Sequence, residues 1–579
     1  MTPQRFWTGL RAAIFAVAPA LIVALPPLAW VREGTYRASL TTLGRDQGIF
    51  QYIAWAVMHG DVDYRDVRDV NGPLIHGVHM FMLALGGRDE HRFRVLDLLF
   101  TGVAFAFVGA CLPGVERSFR AAGRAAEAGA RAGWAFAAWV VLSGQLLMYL
   151  YWDLAQRETF CHWFLLPSVG LQLLAQGKLA SEDRTHARRW LGALVVSGAL
   201  SVIPWFGKPT FGLFTIIQAF TLIIDRHLPV RPRKMLALFA AGGVLGALTQ
   251  LAFLLRYGDI GAWLHITFHD VPAMYRFMMP RTPREILSLT WGGPPTALAL
   301  AGACVMLGLI LDGQLARRAL VIALFPLCGV VSVIVQGKGF PYHFHPVTAG
   351  IALQWLLLVV WMWERFSARS RGTFLRFLPF AAAGALAARI AYLLPASPHL
   401  TDLWILDKGN TAEKRASHDY LVYFRDRDFF PWQMRQAAAY LREHTRPDDR
   451  VQLYGMDPYV LFLAERKSAT PYIYAYDLNA DAALAGSWMR RGLHPTAAQA
   501  AQIRSMRDAH EADMLARLEK SPPAAFVFID GSPLLSYADS VYDFKEHNPD
   551  AAAWLDEHYE ETAAFGEDRV WLRRDLAQK

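Results

Sequence analysis

The side chains with the most chemical promise are ionisable groups at the edges of apolar runs. Asp46 stands in Gly44-Arg45-Asp46-Gln47-Gly48, and Asp153, Arg157 and Glu158 separate one apolar run from the next. Lys208 occupies a tight turn, Trp205-Phe206-Gly207-Lys208-Pro209-Thr210. A longer polar segment holds Trp263, His265, His269, Asp270, Tyr275, Arg276 and Arg281, and a last one holds Lys338, His343 and His345. A charge at a membrane boundary is costly unless it pairs or serves a site. A carboxylate there can take the proton of an attacking hydroxyl. Lys and Arg can hold phosphate, Arg in bidentate fashion. His343 and His345 could bind phosphate, position an acceptor or ligate a metal, although an i, i+2 pair alone does not make a metal site. Each group also has a plainer use. Asp46 could cap a helix, Arg157 could pair with Asp153 or Glu158, and Lys208 could reach out to water.

The elements that must position these groups are membrane spans. Apolar residues make up 54% of the 579 and charged residues only 19%, against about 25% charged in ordinary globular domains. Charges are sparse up to Leu394 and dense beyond it. Apolar runs lie at 12–31, 93–112, 133–150, 158–176, 190–206, 209–225, 235–255, 295–311, 319–335, 345–363 and 374–394, about 11 in all. The first, about 20 residues long, reads as an uncleaved span with its N-terminus in the cytoplasm. Basic loops alternate with polar ones. Arg117, Arg120, Arg124 and Arg131 form one, then Lys178, Arg184, Arg188 and Arg189, then Arg226, Arg231, Arg233 and Lys234. Arg317 and Arg318 follow, then Arg365, Arg369, Arg371 and Arg376. With about 11 spans, every basic loop faces the cytoplasm. The run Pro73–Leu85 is about 13 residues long, too short to cross, and reads as an interfacial helix. That leaves Arg32–Arg92, Tyr151–Arg157, Arg256–Pro294 and Gln336–His345 outside, with the tail.

The expected organisation is a membrane domain over 1–394, with its first outer loop at 32–92, and a soluble α/β domain over 395–579. In the tail, Gln433–His444 reads as a helix, Val451–Gly455 and Ala524–Ile529 as strands, an Ala-rich stretch to Leu518 as helix and Arg569–Leu572 as a last strand. The net charge of +8 follows from the basic loops and does not point to nucleic acid. Cys111, Cys161, Cys304 and Cys328 all lie in apolar runs, which argues against a disulfide framework or a cysteine-based zinc site. Only ten of the 58 basic residues are Lys, as expected of a GC-rich bacterial genome.

The first outer loop continues through His59-Gly60-Asp61-Val62-Asp63-Tyr64-Arg65-Asp66 to Asn71-Gly72-Pro73-Leu74. The order Asp46, Tyr52, Gly60, Tyr64, Asp66, Pro73, Leu74 resembles the first loop of GT-C glycosyltransferases. It is most similar to the aminoarabinose transferase acting on lipid A and to the protein O-mannosyltransferases. The resemblance implies a bacterial inner-membrane hexosyl- or pentosyltransferase with a periplasmic C-terminal domain. Its donor would be a sugar on a polyprenyl phosphate such as undecaprenyl phosphate, and transfer would invert the anomeric centre. Asp46 would be the general base, and Asp153 or Glu158 would match a second acidic residue that holds a metal or the acceptor. Arg157, Lys208, Arg276 and Lys338 would hold donor phosphate, and Tyr64, Asp66, His343 and His345 would contact substrate. A divalent metal ion would be an optional cofactor, with Asp46, Asp153, Glu158 and His343 as candidate ligands. The sugar stays open, as does the acceptor, whether the lipid A of lipopolysaccharide, a protein or another cell-envelope glycan. A transporter or flippase of a lipid-linked or small substrate would place polar groups mid-span rather than at outer ends. A non-catalytic GT-C protein of polysaccharide assembly is the remaining alternative.

Overall fold

The computed structural model describes residues 3–115, 123–180, 186–225, 228, 230–369, 373–401, 407–425, 429–531 and 539–578. Arg117, Arg120, Arg184, Arg226 and Arg371 of the basic loops lie outside these residues. The chain folds as two compact units. The first comprises Met1–Thr41, Arg94–Gln250 and Arg284–Leu406, and the second Thr42–Phe93, Leu251–Pro283 and Asp407–Lys579. The soluble tail therefore shares one unit with two earlier loops.

Every apolar run forms a helix. These are α1 (Pro3–Leu40), α4 (Glu90–Cys111), α5 (Gly123–Leu146), α6 (Arg157–Leu179), α7 (Ala187–Val202), α8 (Gly212–Ile224) and α9 (Pro232–Tyr257), then α10 (Gly293–Leu311), α11 (Leu320–Gln336), α12 (His345–Arg369) and α13 (Thr373–Leu393). Among the described residues, eight helices are long and apolar enough to cross a membrane, those built on α1, α4, α7 and α9–α13. The chain is a multi-pass membrane protein. The α8 helix is shorter, while α5 and α6 carry more polar residues, among them Arg131 in α5 and His162, Ser168, Gln172 and Gln176 in α6. One boundary differs from expectation. The first helix runs on past Val31 to Leu40, so the first loop starts after Leu40 rather than at Arg32. Arg37 donates to Glu33 one turn earlier at 2.7 Å, and this pair lets charged residues continue the helix.

The first unit is held by small residues and by hydrogen bonds between helices, as expected where lipid offers no hydrophobic drive. A Cβ on Gly198 of α7 would lie 1.9 Å from the Phe239 carbonyl oxygen of α9, and one on Gly242 of α9 would lie 1.9 Å from the Val195 carbonyl oxygen. Buried polar side chains link α6, α7 and α8. Ser168 Oγ donates to the Ser197 carbonyl at 2.7 Å, Gln172 Nε2 to Thr221 Oγ1 at 2.6 Å and Gln218 Nε2 to Ser168 Oγ at 2.8 Å.

The second unit contains α2 (Arg45–Met58), α3 (Pro73–Gly86) and a five-stranded sheet. Pro73 suits the first turn of α3, and at 14 residues the helix is too short to cross a membrane. The strands are β1 (Arg450–Tyr454), β2 (Lys467–Ser468), β3 (Ala525–Ile529), β4 (Tyr559–Phe565) and β5 (Asp568–Arg573), in the order β2-β1-β3-β5-β4. The pairs β2-β1 and β1-β3 are parallel; β3-β5 and β5-β4 are antiparallel. Central β3 is buried throughout, which is why it reads as a continuous apolar run. The longer helices of the tail are α14 (Pro431–His444), α15 (Ala497–Lys520), α16 (Ser540–His547) and α17 (Pro549–His558).

The two earlier loops are tied into this unit by ion pairs. Arg45 makes two bonds to Asp457, at 2.8 and 3.2 Å, and Arg68 reaches Asp270 at 2.8 Å and Asp477 at 3.0 Å. A Cβ on Gly48 would meet the Tyr459 side chain at 2.8 Å, so only glycine lets α2 pack this closely.

Candidate functional site

In the first unit, three segments far apart in sequence meet. Glu158 lies in the first turn of α6, following the tight Tyr151–Asp153 turn, and its side chain is fully buried. Lys208 stands extended between α7 and α8 and is 7% exposed. Its Nζ donates to Glu158 Oε1. His343, in the short turn Pro341–Phe344 before α12, places Nε2 3.8 Å from the same oxygen. Glu158 Oε2 is buried without a hydrogen-bond partner among the described residues. Arg157 is half-buried beside Glu158, and its charge bears on Lys208. Burial pulls the Lys208 ammonium down to about 8, against the opposing pull of Glu158.

His345 serves differently. Its Nε2 donates to the Asp153 carbonyl at 2.9 Å, and its ring lies 3.9 Å from that of Tyr149, which stacks on Trp291. This contact fixes the Asp153 turn against α12. Asp153 is itself buried. Lys338 is buried in the loop between α11 and α12, and burial lowers it to about 7.

The remaining predicted residues belong to the second unit. Asp46 is half-buried in the first turn of α2, where the helix dipole favours a carboxylate. Gly44 takes the cap position, and its N–H donates to Gln47 Oε1 at 2.5 Å, so Asp46 is not the cap. Tyr64 is packed in the core against Leu254 and Ile266, at φ +68°, and its hydroxyl donates to the Asn71 carbonyl at 2.8 Å. That burial sets it in the scaffold of the loop rather than on an open surface. Asp66 pairs with Arg65 at 2.8 Å and accepts the Val62 N–H at 2.8 Å; burial opposes its charge, but these bonds outweigh it and lower its pKa. It lines a cavity of about 430 Å³ with Asp61, Arg450, Lys467 and Arg517. Arg276 is exposed, its guanidinium 4.7 Å from the centre of the Phe277 ring.

Sequence reasoning missed two groups. His162 lies one turn beyond Glu158 on α6, fully buried, with no partner for either ring nitrogen among the described residues. The i, i+4 spacing from Glu158 was the available signal. In the first loop, His76 of α3 is wedged between Asp63 at 2.7 Å and Asp69 at 2.8 Å, and Tyr474 of the tail donates to Asp69 at 3.0 Å. Burial opposes the imidazolium, but the two carboxylates outweigh it and raise His76 to about 10. Two histidines, His76 and His79, on an otherwise apolar helix were the clue there.

Among the described residues, none of the expected metal ligands falls in a group of three. Glu158 and His343 supply two donors, and the Lys208 ammonium occupies the carboxylate between them. Among the described residues, two other groups bring three donor atoms within 4.8 Å of one another, His265 with His269 and Asp270, and Asp481 with Asp543 and His547.

The sequence matches no protein-family model, and no curated protein matches it. Solved structures do. ArnT from Cupriavidus metallidurans in the apo state is 14% identical, with 95% of this chain and 97% of that one covered at a TM-score of 0.47. The oligosaccharyltransferase of Archaeoglobus fulgidus, tethered to an acceptor peptide containing the NVT sequon, is 12% identical, with 97% and 74% covered at a TM-score of 0.43. Its apo form is also similar, at 12% identity and a TM-score of 0.41, with 90% and 69% covered.

Proposed function

We propose that this protein is a GT-C glycosyltransferase of a bacterial inner membrane that moves one sugar from a polyprenyl phosphate to an acceptor on the periplasmic side. The observation that carries the reading is the buried Glu158–Lys208–His343 cluster, assembled from three segments at helix ends. A fully buried carboxylate with one unpartnered oxygen, beside an ammonium and an imidazole, suits a ligand that brings both phosphate and hydroxyl groups. Lys208 contacts the donor phosphate, with Arg157 and Lys338 adding positive charge. Glu158 and His343 position the reacting groups. Asp46 takes the proton from the acceptor hydroxyl as it attacks the anomeric carbon, and the lipid phosphate leaves. That order of events inverts the sugar.

The test is Asp46→Asn in membranes supplied with a labelled polyprenyl-phosphate sugar. Loss of a general base lowers the rate by about 10²–10⁴-fold. Transfer within about twofold of wild type would remove Asp46 from that role.

A further inference from the structure

We propose that Asp481, Asp543 and His547 form a binding site for a divalent transition-metal ion in the C-terminal region, independent of the sugar-transfer reaction. Their donor atoms lie within 4.8 Å of one another. Asp543 and His547 are one turn apart on α16, and Asp481 opens the short helix Asp481–Ala485.

The surrounding contacts orient each donor. The Nδ1–H of His547 donates to the Asp543 carbonyl at 3.0 Å, which turns Nε2 towards Asp481 Oδ2, 3.2 Å away. A metal-bound histidine is held by the same kind of hydrogen bond, from its second nitrogen to a backbone carbonyl. The Asp543 carboxylate accepts from Tyr454 Oη at 2.5 Å and from Asn479 Nδ2 at 2.9 and 2.8 Å. A carboxylate offers about four lone-pair positions, so room remains for an ion. Asn479 Oδ1 also accepts the Asp481 N–H at 2.7 Å, so a single side chain sets the spacing of both carboxylates.

Access and location agree. The Asp481 side chain is 45% exposed, His547 16% and Asp543 7%, so the group opens to water on one side. Three protein ligands with an open position for water make a common zinc arrangement. One imidazole with two carboxylates favours Zn²⁺ or Mn²⁺ over Ca²⁺ or Mg²⁺. Tyr454 is the last residue of β1, and α16 follows β3 in the chain. Between these parallel strands the chain order reverses, from β2 on one side of β1 to β3 on the other, and open α/β sheets bind ligands at the carboxyl ends of such strands. The His265–His269–Asp270 group differs, because Asp270 is already bound to Arg68 and both imidazoles are half or more exposed.

The experiment uses the full chain in detergent, stripped with chelator and titrated with Zn²⁺ or Mn²⁺ alone by calorimetry, with metal content measured after gel filtration. One ion per chain is expected, with affinity at least about tenfold weaker in His547→Gln and in Asp481→Asn. Asp481→Asn alters a half-exposed side chain and keeps the test valid if His547→Gln does not fold. His269→Gln leaves the affinity unchanged. Three results would overturn the site: no retained ion, an affinity indifferent to both His547→Gln and Asp481→Asn, or an ion lost only in His269→Gln.

Discussion

Breaking the Glu158–Lys208 pair separates a functional from a merely structural role. The Glu158 side chain is fully buried and that of Lys208 8% exposed, so neither charge can turn to water. Two unit charges about 3 Å apart at an effective dielectric constant near 20 attract by about 5 kcal/mol. Removing one partner from a buried pair costs about 3–5 kcal/mol, because the other charge is stranded. Lys208→Met and Glu158→Gln should therefore each lower the melting temperature sharply in detergent. Combining them leaves a neutral pair of similar volume, and the double variant should recover most of the lost stability. Glu158→Gln has a second effect. The carboxylate opposes the burial that holds Lys208 near 8. Without it, the burial of Lys208 is unopposed and its pKa falls further. The stability cycle and the transfer assay then diverge, since the double variant melts near wild type yet transfers no sugar. Double-variant activity close to wild type would refute the proposed phosphate role of Lys208. Single variants as stable as wild type would refute the energetic argument.

Other consequences follow from the same structure. His76 holds its proton to about 10 in the fold and to about 6.5 when unfolded. Its contribution is thus complete below about 6.5 and is lost as pH rises through about 10, so melting temperature should fall across that window, and less in Asp63→Asn. Gly198→Ala would drive a methyl into the Phe239 carbonyl and prise α7 from α9. It should cost about 1–3 kcal/mol, read as a lower melting temperature of the whole chain.

Much of this architecture was legible in the sequence, because apolar runs and turn residues report local structure. Every predicted run is a helix, and the short Pro73 segment is a 14-residue helix. In the tail, β1, β3 and β5 lay where alternating or buried apolar stretches placed them. The edge strands were missed. Lys467–Ser468 is two residues long, and Tyr559–Phe565 is half-exposed with Glu560 and Glu561 inside it, so neither shows a periodic signal. The end of α1 was misjudged because the Glu33–Arg37 pair carries the helix into charged sequence. Lys208 is buried rather than reaching out to water, and its carboxylate partner Glu158 stands 50 positions earlier in the chain, beyond the reach of local pattern. Pairings such as Arg45 with Asp457 join residues more than four hundred positions apart, and local pattern carries no trace of them.

Those distant pairings also impose an order of events on biogenesis. Arg45, Gly48, Arg68 and Asp69 emerge early in synthesis, yet Asp457, Tyr459, Asp477 and Tyr474 come more than four hundred positions later. Until the tail has reached the same side of the membrane, Arg45 and Asp69 lack these partners and Gly48 lacks the ring it packs against. Closing a loop of about 400 residues costs about 3 kcal/mol more than closing one of about ten, at about 0.6 kcal/mol per doubling of length. A chain truncated before residue 457 would keep α1 to α13 and still lack these partners for its first loop. The packing of the Asp46 loop therefore depends on residues 457–477.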